Sequence, residues 1–391
     1  MENGGYPVVN IPGASTEQGP APSSSAPLIA IVVIDAERCR LPIAALSVLD
    51  RLVVTLGRAG VSRMILVGPA APTLSRSTAL GFQVEQSDRF PAITGPVLVS
   101  AGNVLTTVAD LRNVIARRGR LAAADGQRLP LGIVEGASRD WQSRLDLVPA
   151  VRAQGPAACV TGLESARQVE RAYWASLTSS SDGLVDRHFN RPVGRWLGKR
   201  LVSSPVTPNQ VSVAATLIGL ISAWLFVIGT PGTALAGALA LQGSAIVDCI
   251  DGDLARALYK ESALGKWLDI VGDQVVHIGV FLGLGIGLWR SGSSAPVVTL
   301  GIIAAGGVVL SFLVILRVLL QPKRRGQGRL QKLIDATTNR DFSVLLILFA
   351  LIGVLDWFLW LAAVGSHLFW LIALALQMQE NRPSPDHAQT A

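Results

Sequence analysis

Lysine is missing from the first 198 residues of this 391-residue chain, and Lys199 is its first occurrence. No phosphate chain can therefore be held by a lysine ammonium anywhere in the N-terminal half. Cysteine is scarce as well: Cys39, Cys159 and Cys249 are too few and too scattered for a disulfide framework or a zinc site. Their scarcity fits a reducing, cytoplasmic surrounding. Charge is thin, at 16% of residues against 50% hydrophobic, and the mean hydropathy of +0.45 is too high for a chain that is soluble throughout. No basic-then-apolar leader pattern opens the sequence, so a cleaved signal peptide is not expected and the first membrane segment has to direct insertion.

What is present divides unevenly. Residues 1–26 are rich in Gly, Pro and Ser without apolar periodicity and read as a disordered tail. Residues 27–164 carry an α/β pattern: LIAIVVID (28–35), RMILVG (63–68) and PVLVSAG (96–102) read as strands, with helices predicted at 43–60 and 106–118. Strand–helix–strand order predicts a parallel sheet. Residues 165–205 form a linker, beginning in the helical stretch 162–177 and ending in a juxtamembrane amphipathic segment, 184–202, that mixes arginines with Leu, Phe, Trp and Val. Thr207-Pro208-Asn209-Gln210 then has the composition of a capping box at a helix start.

From 206 to 379 the apolar runs predict six transmembrane helices: 208–228, 233–257, 263–289, 294–320, 341–354 and 357–378. The last two come from one apolar stretch, broken near Gly353–Asp356 because it is too long for a single crossing. Residues 380–391 are a polar tail. Arg256, Lys260 and Lys266, and later Lys323 to Lys332, follow the second and fourth runs, whereas the other connections are poor in basic residues. That bias predicts a multi-pass protein of the cell inner membrane with both termini in the cytoplasm, and it makes the net charge of +7 a topology signal rather than a sign of nucleic acid.

Acids inside such runs are costly and need a reason. Asp248 and Asp251 are spaced i, i+3, and Asp269 and Asp273 are spaced i, i+4, so each pair shares one helix face. With a turn near Lys260, Asp251 and Asp269 sit nine residues from it on either side, at equal depth, about 13 Å along each helix. The two pairs can then face each other. Oxygen-only ligands suit Mg²⁺ or Mn²⁺ rather than zinc, and such an ion is what a diphosphate substrate needs. Taken alone, these residues equally admit pairing with nearby arginines or an ion path through a transporter.

The full spacing is more specific. Asp248-x2-Asp251-Gly252-x2-Ala255-Arg256-x8-Gly265-x3-Asp269-x3-Asp273 is similar, without gap or substitution, to the signature of the CDP-alcohol phosphotransferases, and the resemblance spans about 180–378. It implies that Asp248, Asp251 and Asp269 ligate the metal. Asp273 would be the general base on the acceptor hydroxyl and possible fourth ligand. Gly252 and Ala255 would leave room for the CDP moiety, Arg256 would hold its phosphates, and Gly265 would allow close packing against the nucleotide. The glycines and alanine by themselves are ordinary in packed membrane helices. The resemblance also implies a CDP-alcohol donor, an alcohol or alcohol-phosphate acceptor, contact with membrane lipids and a homodimer.

Arg317 and Arg340 are further candidates for an acceptor phosphate, with snorkelling to the interface the competing reading for Arg317. His277, one turn past Asp273, is expected to make a structural hydrogen bond rather than to tune the base. An ion-coupled transporter and a catalytically silent scaffold remain the alternatives to an enzyme.

Residues 28–160 are distantly similar to the nucleotidyltransferase fold, as fused to this membrane domain in the bifunctional inositol-phosphate cytidylyltransferase/di-inositol-phosphate phosphate synthases. The membrane location fits a CDP-diacylglycerol donor, whereas the fusion favours CDP-inositol or inositol phosphate, with inositol phosphate the acceptor expected. Yet VIDAERCRLP has no glycine where a phosphate loop belongs, and VSAGNVLTT has no aspartate where a metal ligand belongs. A degenerate, non-catalytic domain is expected.

Overall fold

The computed structural model describes residues 28–177, 183–320 and 342–380. These fall into two compact units, one holding 28–177 with Arg256–Tyr259, the other holding 183–255, 260–320 and 342–380.

The first unit runs β1 (Ile29–Val33), the hairpin β2 (Pro42–Ile43) and β3 (Leu46–Ser47), α1 (Val48–Ala59), β4 (Arg63–Val67), α2 (Ser75–Ala79), β5 (Val84–Ser87) and β6 (Pro96–Ala101). It continues with β7 (Val104–Leu105), α3 (Val108–Arg117), β8 (Arg120–Ala122), β9 (Arg128–Glu135), α4 (Trp141–Asp146), β10 (Ala150–Arg152), β11 (Ala158–Cys159) and α5 (Leu163–Ser176). Seven strands form one sheet in the order β10-β8-β9-β6-β1-β4-β5. The core half, β6-β1-β4-β5, is parallel as the strand–helix alternation requires. β9 enters antiparallel to both β6 and β8, so the sheet is mixed rather than wholly parallel.

The predicted helix 43–60 starts later, at Val48, because Ser47 caps it by accepting the Asp50 amide at 3.1 Å. The residues ahead of it make the β2–β3 hairpin, whose turn places Ala44 and Ala45 at φ 45° and 65°. The buried Arg51 guanidinium holds that turn by donating to the Ile43 and Ala44 carbonyls. The same side chain donates to the carbonyl of Ala257 and stacks over Tyr173 at 4.5 Å and Tyr259 at 5.5 Å.

The second unit opens with a π-helical turn, Asp186–Asn190, that leads into α6 (Arg191–Leu201). Then come α7 (Pro208–Ile228), α8 (Pro231–Ala257, its last two residues counted with the first unit), α9 (Ala263–Arg290) and α10 (Val297–Leu320). The helices Phe342–Ile352 and Leu355–Glu380 close it. The capping box at Thr207 forms, with Thr207 accepting the Gln210 amide at 3.3 Å and Gln210 accepting the Thr207 amide at 2.9 Å.

Among the described residues five helices are long and apolar enough to cross a membrane, against the six predicted. The difference is Phe342–Ile352, whose 11 residues span about 16 Å at the helical rise, about half of a hydrocarbon core. Gly353 at φ +75° ends it, where the sequence placed the break.

α7 and α9 touch backbone to backbone. A Cβ on Gly283 would lie 2.4 Å from the Ala223 carbonyl oxygen, and one on Gly287 would lie 1.9 Å from that of Phe226. Small residues at every fourth position let two apolar helices gain dispersion contacts that lipid cannot supply.

Candidate active site

α8 and α9 bring the acids together. α8 ends at Ala257, and α9 begins after Ser262, whose hydroxyl accepts the Gly265 amide at 3.0 Å as an N-cap. This turn sets Asp251 and Asp269 level, as the residue count predicts. One carboxylate oxygen from each of Asp248, Asp251 and Asp269 lies within 4.8 Å of the others. Asp251 is 7% exposed, and the other two are half-buried.

At that spacing each charged pair repels by roughly 3 kcal/mol or more at an effective dielectric of about 20. The cluster is thus an electrostatic liability that a divalent cation would turn into an asset. Three hard oxygen donors without nitrogen or sulfur fit Mg²⁺ or Mn²⁺.

A third helix takes part. The Ser212 hydroxyl of α7, itself buried, donates to Asp251, orienting one ligand from behind. The sequence reading missed it. Its signal is a short polar stripe, Ser212 and Thr216 at i, i+4 on a largely apolar helix.

Asp273 is not one of these three carboxylates. It lines, together with Asp248, Thr216, Ser244, His277 and Ser343, a cavity of about 10 Å³, the size of one water molecule. The His277 ring meets Phe342 edge to face at 5.2 Å between centroids.

Gly252 and Ala255 are half-buried on α8. A Cβ on Gly265 would lie 2.8 Å from Asn209 Oδ1 of α7, so a larger residue there would have to displace that side chain. Arg256 groups with the other unit. Arg317 is exposed at the end of α10. Arg340 and the basic run Lys323–Lys332 lie outside the described residues.

The α8–α9 hairpin thus brings three carboxylates together, with a fourth lining the cavity that Asp248 also lines. Residues 205–375 match the family model CDP-alcohol phosphatidyltransferase. Relatives include "Bifunctional IPC transferase and DIPP synthase" from Thermococcus kodakarensis, 38% identical over 128 residues, which make up 32% of this chain and 28% of that protein. The protein of the same name from Aquifex aeolicus is 31% identical over 172 residues, 42% of this chain and 39% of the relative. The matches thus span less than half the length of these curated relatives. Of solved structures, Mycobacterium tuberculosis phosphatidylinositol phosphate synthase (PgsA1) with manganese and citrate is 21% identical, at a TM-score of 0.36, covering 47% of this chain and 88% of that one.

Proposed function

We propose that the chain transfers a substituted phosphate group from a CDP-alcohol to the hydroxyl of an acceptor alcohol, releasing CMP. The convergence of Asp248, Asp251 and Asp269 within the family-matched segment carries this reading. These three residues would hold Mg²⁺ or Mn²⁺, which neutralises diphosphate oxygens when bound.

Asp273 takes the proton of the acceptor hydroxyl. The acceptor oxygen bonds to the phosphorus that carries the donor alcohol, and the bond from that phosphorus to the bridging oxygen breaks, so CMP leaves. Gly252 and Ala255 leave space for the cytidine side of the donor, Gly265 lets its own helix pack closely, and Arg256 meets the diphosphate.

The named relatives, an IPC transferase and DIPP synthase and, from Pyrococcus horikoshii, an "Archaetidylinositol phosphate synthase", support inositol phosphate as acceptor. CDP-inositol and CDP-diacylglycerol are the two donors to test. Apolar exposed faces such as Leu361, Val364, Leu368 and Leu371 on the final helix support lipid contact, and the basic connections support cytoplasmic termini in a multi-pass inner-membrane homodimer.

The first unit is read as non-catalytic, because acids a nucleotidyltransferase could use are spent on its own backbone. Asp35 accepts the Glu37 and Arg38 amides, Asp50 those of Arg76 and Ser77, and Asp110 those of Gln154 and Gly155.

Purified protein incubated with Mg²⁺, each donor and a panel of alcohols including inositol phosphate should release CMP. Asp273→Asn should lower that rate by about 10²–10⁴-fold, the range for a lost general base, while CDP still binds. Ion-coupled uptake without CMP release would instead make the acids a transport path.

A further inference from the structure

α8 has a second polar face, turned away from the three ligands. Asp253 follows Asp251 by two residues, about 160° around the helix. Its side chain is 2% exposed and pairs at 2.6 Å with the Arg191 guanidinium, itself 11% exposed, with Arg195 at 3.7 Å.

Eleven residues earlier, on the same side of α8, the buried Gln242 amide donates to Asn190. Gln242 also accepts the Ser343 hydroxyl at 2.7 Å, and Ser343 lines the cavity beside Asp248 and Asp273. Between these two points the α6 backbone comes close. A Cβ on Gly194 would meet the Ile246 carbonyl oxygen at 3.3 Å and Ile250 Cγ1 at 3.5 Å. Asn190, Arg191, Gly194 and Arg195 therefore follow one line down the back of the ligand-bearing helix.

We infer that this segment is a rear brace for the metal site, with Asp253 the residue that fixes the rotation of Asp251 toward Asp269. The reason lies in Gly252. α8 runs straight through a glycine placed between Asp251 and Asp253, one of the weakest helix formers at the point where the helix must aim a ligand. A buried, hydrogen-bonded Arg–Asp pair has a defined geometry, and breaking it by removing one partner is costly. It supplies from outside the rigidity that the glycine takes away. Asp253 occupies a position that the aspartate motif leaves open, so it is a positioning residue and not a ligand.

The inference rests on the metal reading of Asp248, Asp251 and Asp269, and Mn²⁺ titration followed by electron paramagnetic resonance separates the two. A parent that binds no Mn²⁺, or an Asp251→Asn variant that binds it as the parent does, would overturn both readings. With the parent binding and Asp251→Asn impaired, Asp253→Asn should weaken Mn²⁺ affinity about tenfold and Gly194→Ala severalfold. Saturating Mn²⁺ should restore CMP release in both, a rescue that the loss of a ligand does not allow. Metal-free thermal midpoints serve as the check on folding. Mn²⁺ affinity within twofold of the parent in folded Asp253→Asn would overturn the brace. Should that variant not fold, unchanged affinity in Gly194→Ala would do the same.

Discussion

A carboxylate is only as good a ligand as its neighbours make it, and Ser212 shows how this works for Asp251. Its hydroxyl donates to the carboxylate from α7, fixing one oxygen of an acid that sits beside Asp248 and Asp269. Ser212→Ala should therefore weaken Mn²⁺ binding by about tenfold with the fold intact, as lost support behind a ligand does elsewhere, measurable by the same titration. The aspartates were legible because acids in apolar runs have few other uses. Ser212 was not, since a hydroxyl in such a helix usually bonds back to its own preceding turn, as Thr216 does to the Ser212 carbonyl. A second residue-level consequence concerns Cys39, fully buried in the first unit. Burial pushes its thiol from 9.0 to about 11. The folded state thus favours the neutral thiol, a contribution fully present below pH 9 and lost as pH rises through 11. Unfolding midpoints should fall between those two values, and Cys39→Ala should flatten that part of the curve.

Helices and strands differ in what their sequences disclose. Thr207 with Gln210 announces the start of α7 because a cap is a local event between residues three apart. The hairpin at 42–47 hides inside an apolar run of helical period, since its support is the distant Arg51 donating to Ile43 and Ala44. β9 escaped for a similar reason: nothing in its own residues says that it pairs antiparallel between β6 and β8. The close approach of α7 and α9 can be tested at Gly287. An added methyl there would sit 1.9 Å from the Phe226 carbonyl oxygen, a backbone atom that cannot swing aside. Gly287→Ala should destabilise the protein by about 1–3 kcal/mol, the range for overpacking, seen as a lower thermal midpoint in detergent. Gly243→Ala, where a Cβ would meet nothing within 4 Å and alanine is the better helix former, should not lower the midpoint.

At the scale of the whole chain, the two units differ in what their acids do. In the helical unit Asp248, Asp251 and Asp269 are held within 4.8 Å of one another, an arrangement that a bound divalent cation would favour. In the α/β unit the acids cap helices and turns. Asp50 receives the Arg76 and Ser77 amides at 2.8 Å each, and Asp110 receives those of Gln154 at 2.7 Å and Gly155 at 3.0 Å. Asp35, which follows β1 where a phosphate cradle would open, is occupied by two amides and by Arg38 at 3.4 Å. An acid bound in this way is committed to the backbone, and to free it would unmake the turn it holds. Without lysine before Lys199, no lysine of this unit can face a triphosphate either. The full chain, given CTP, Mg²⁺ and inositol phosphate, should therefore form no CDP-inositol and release no pyrophosphate, while the same preparation given a ready-made CDP-alcohol and acceptor releases CMP. Pyrophosphate above the level of a protein-free control would mean that the α/β unit activates its own substrate with groups other than these acids.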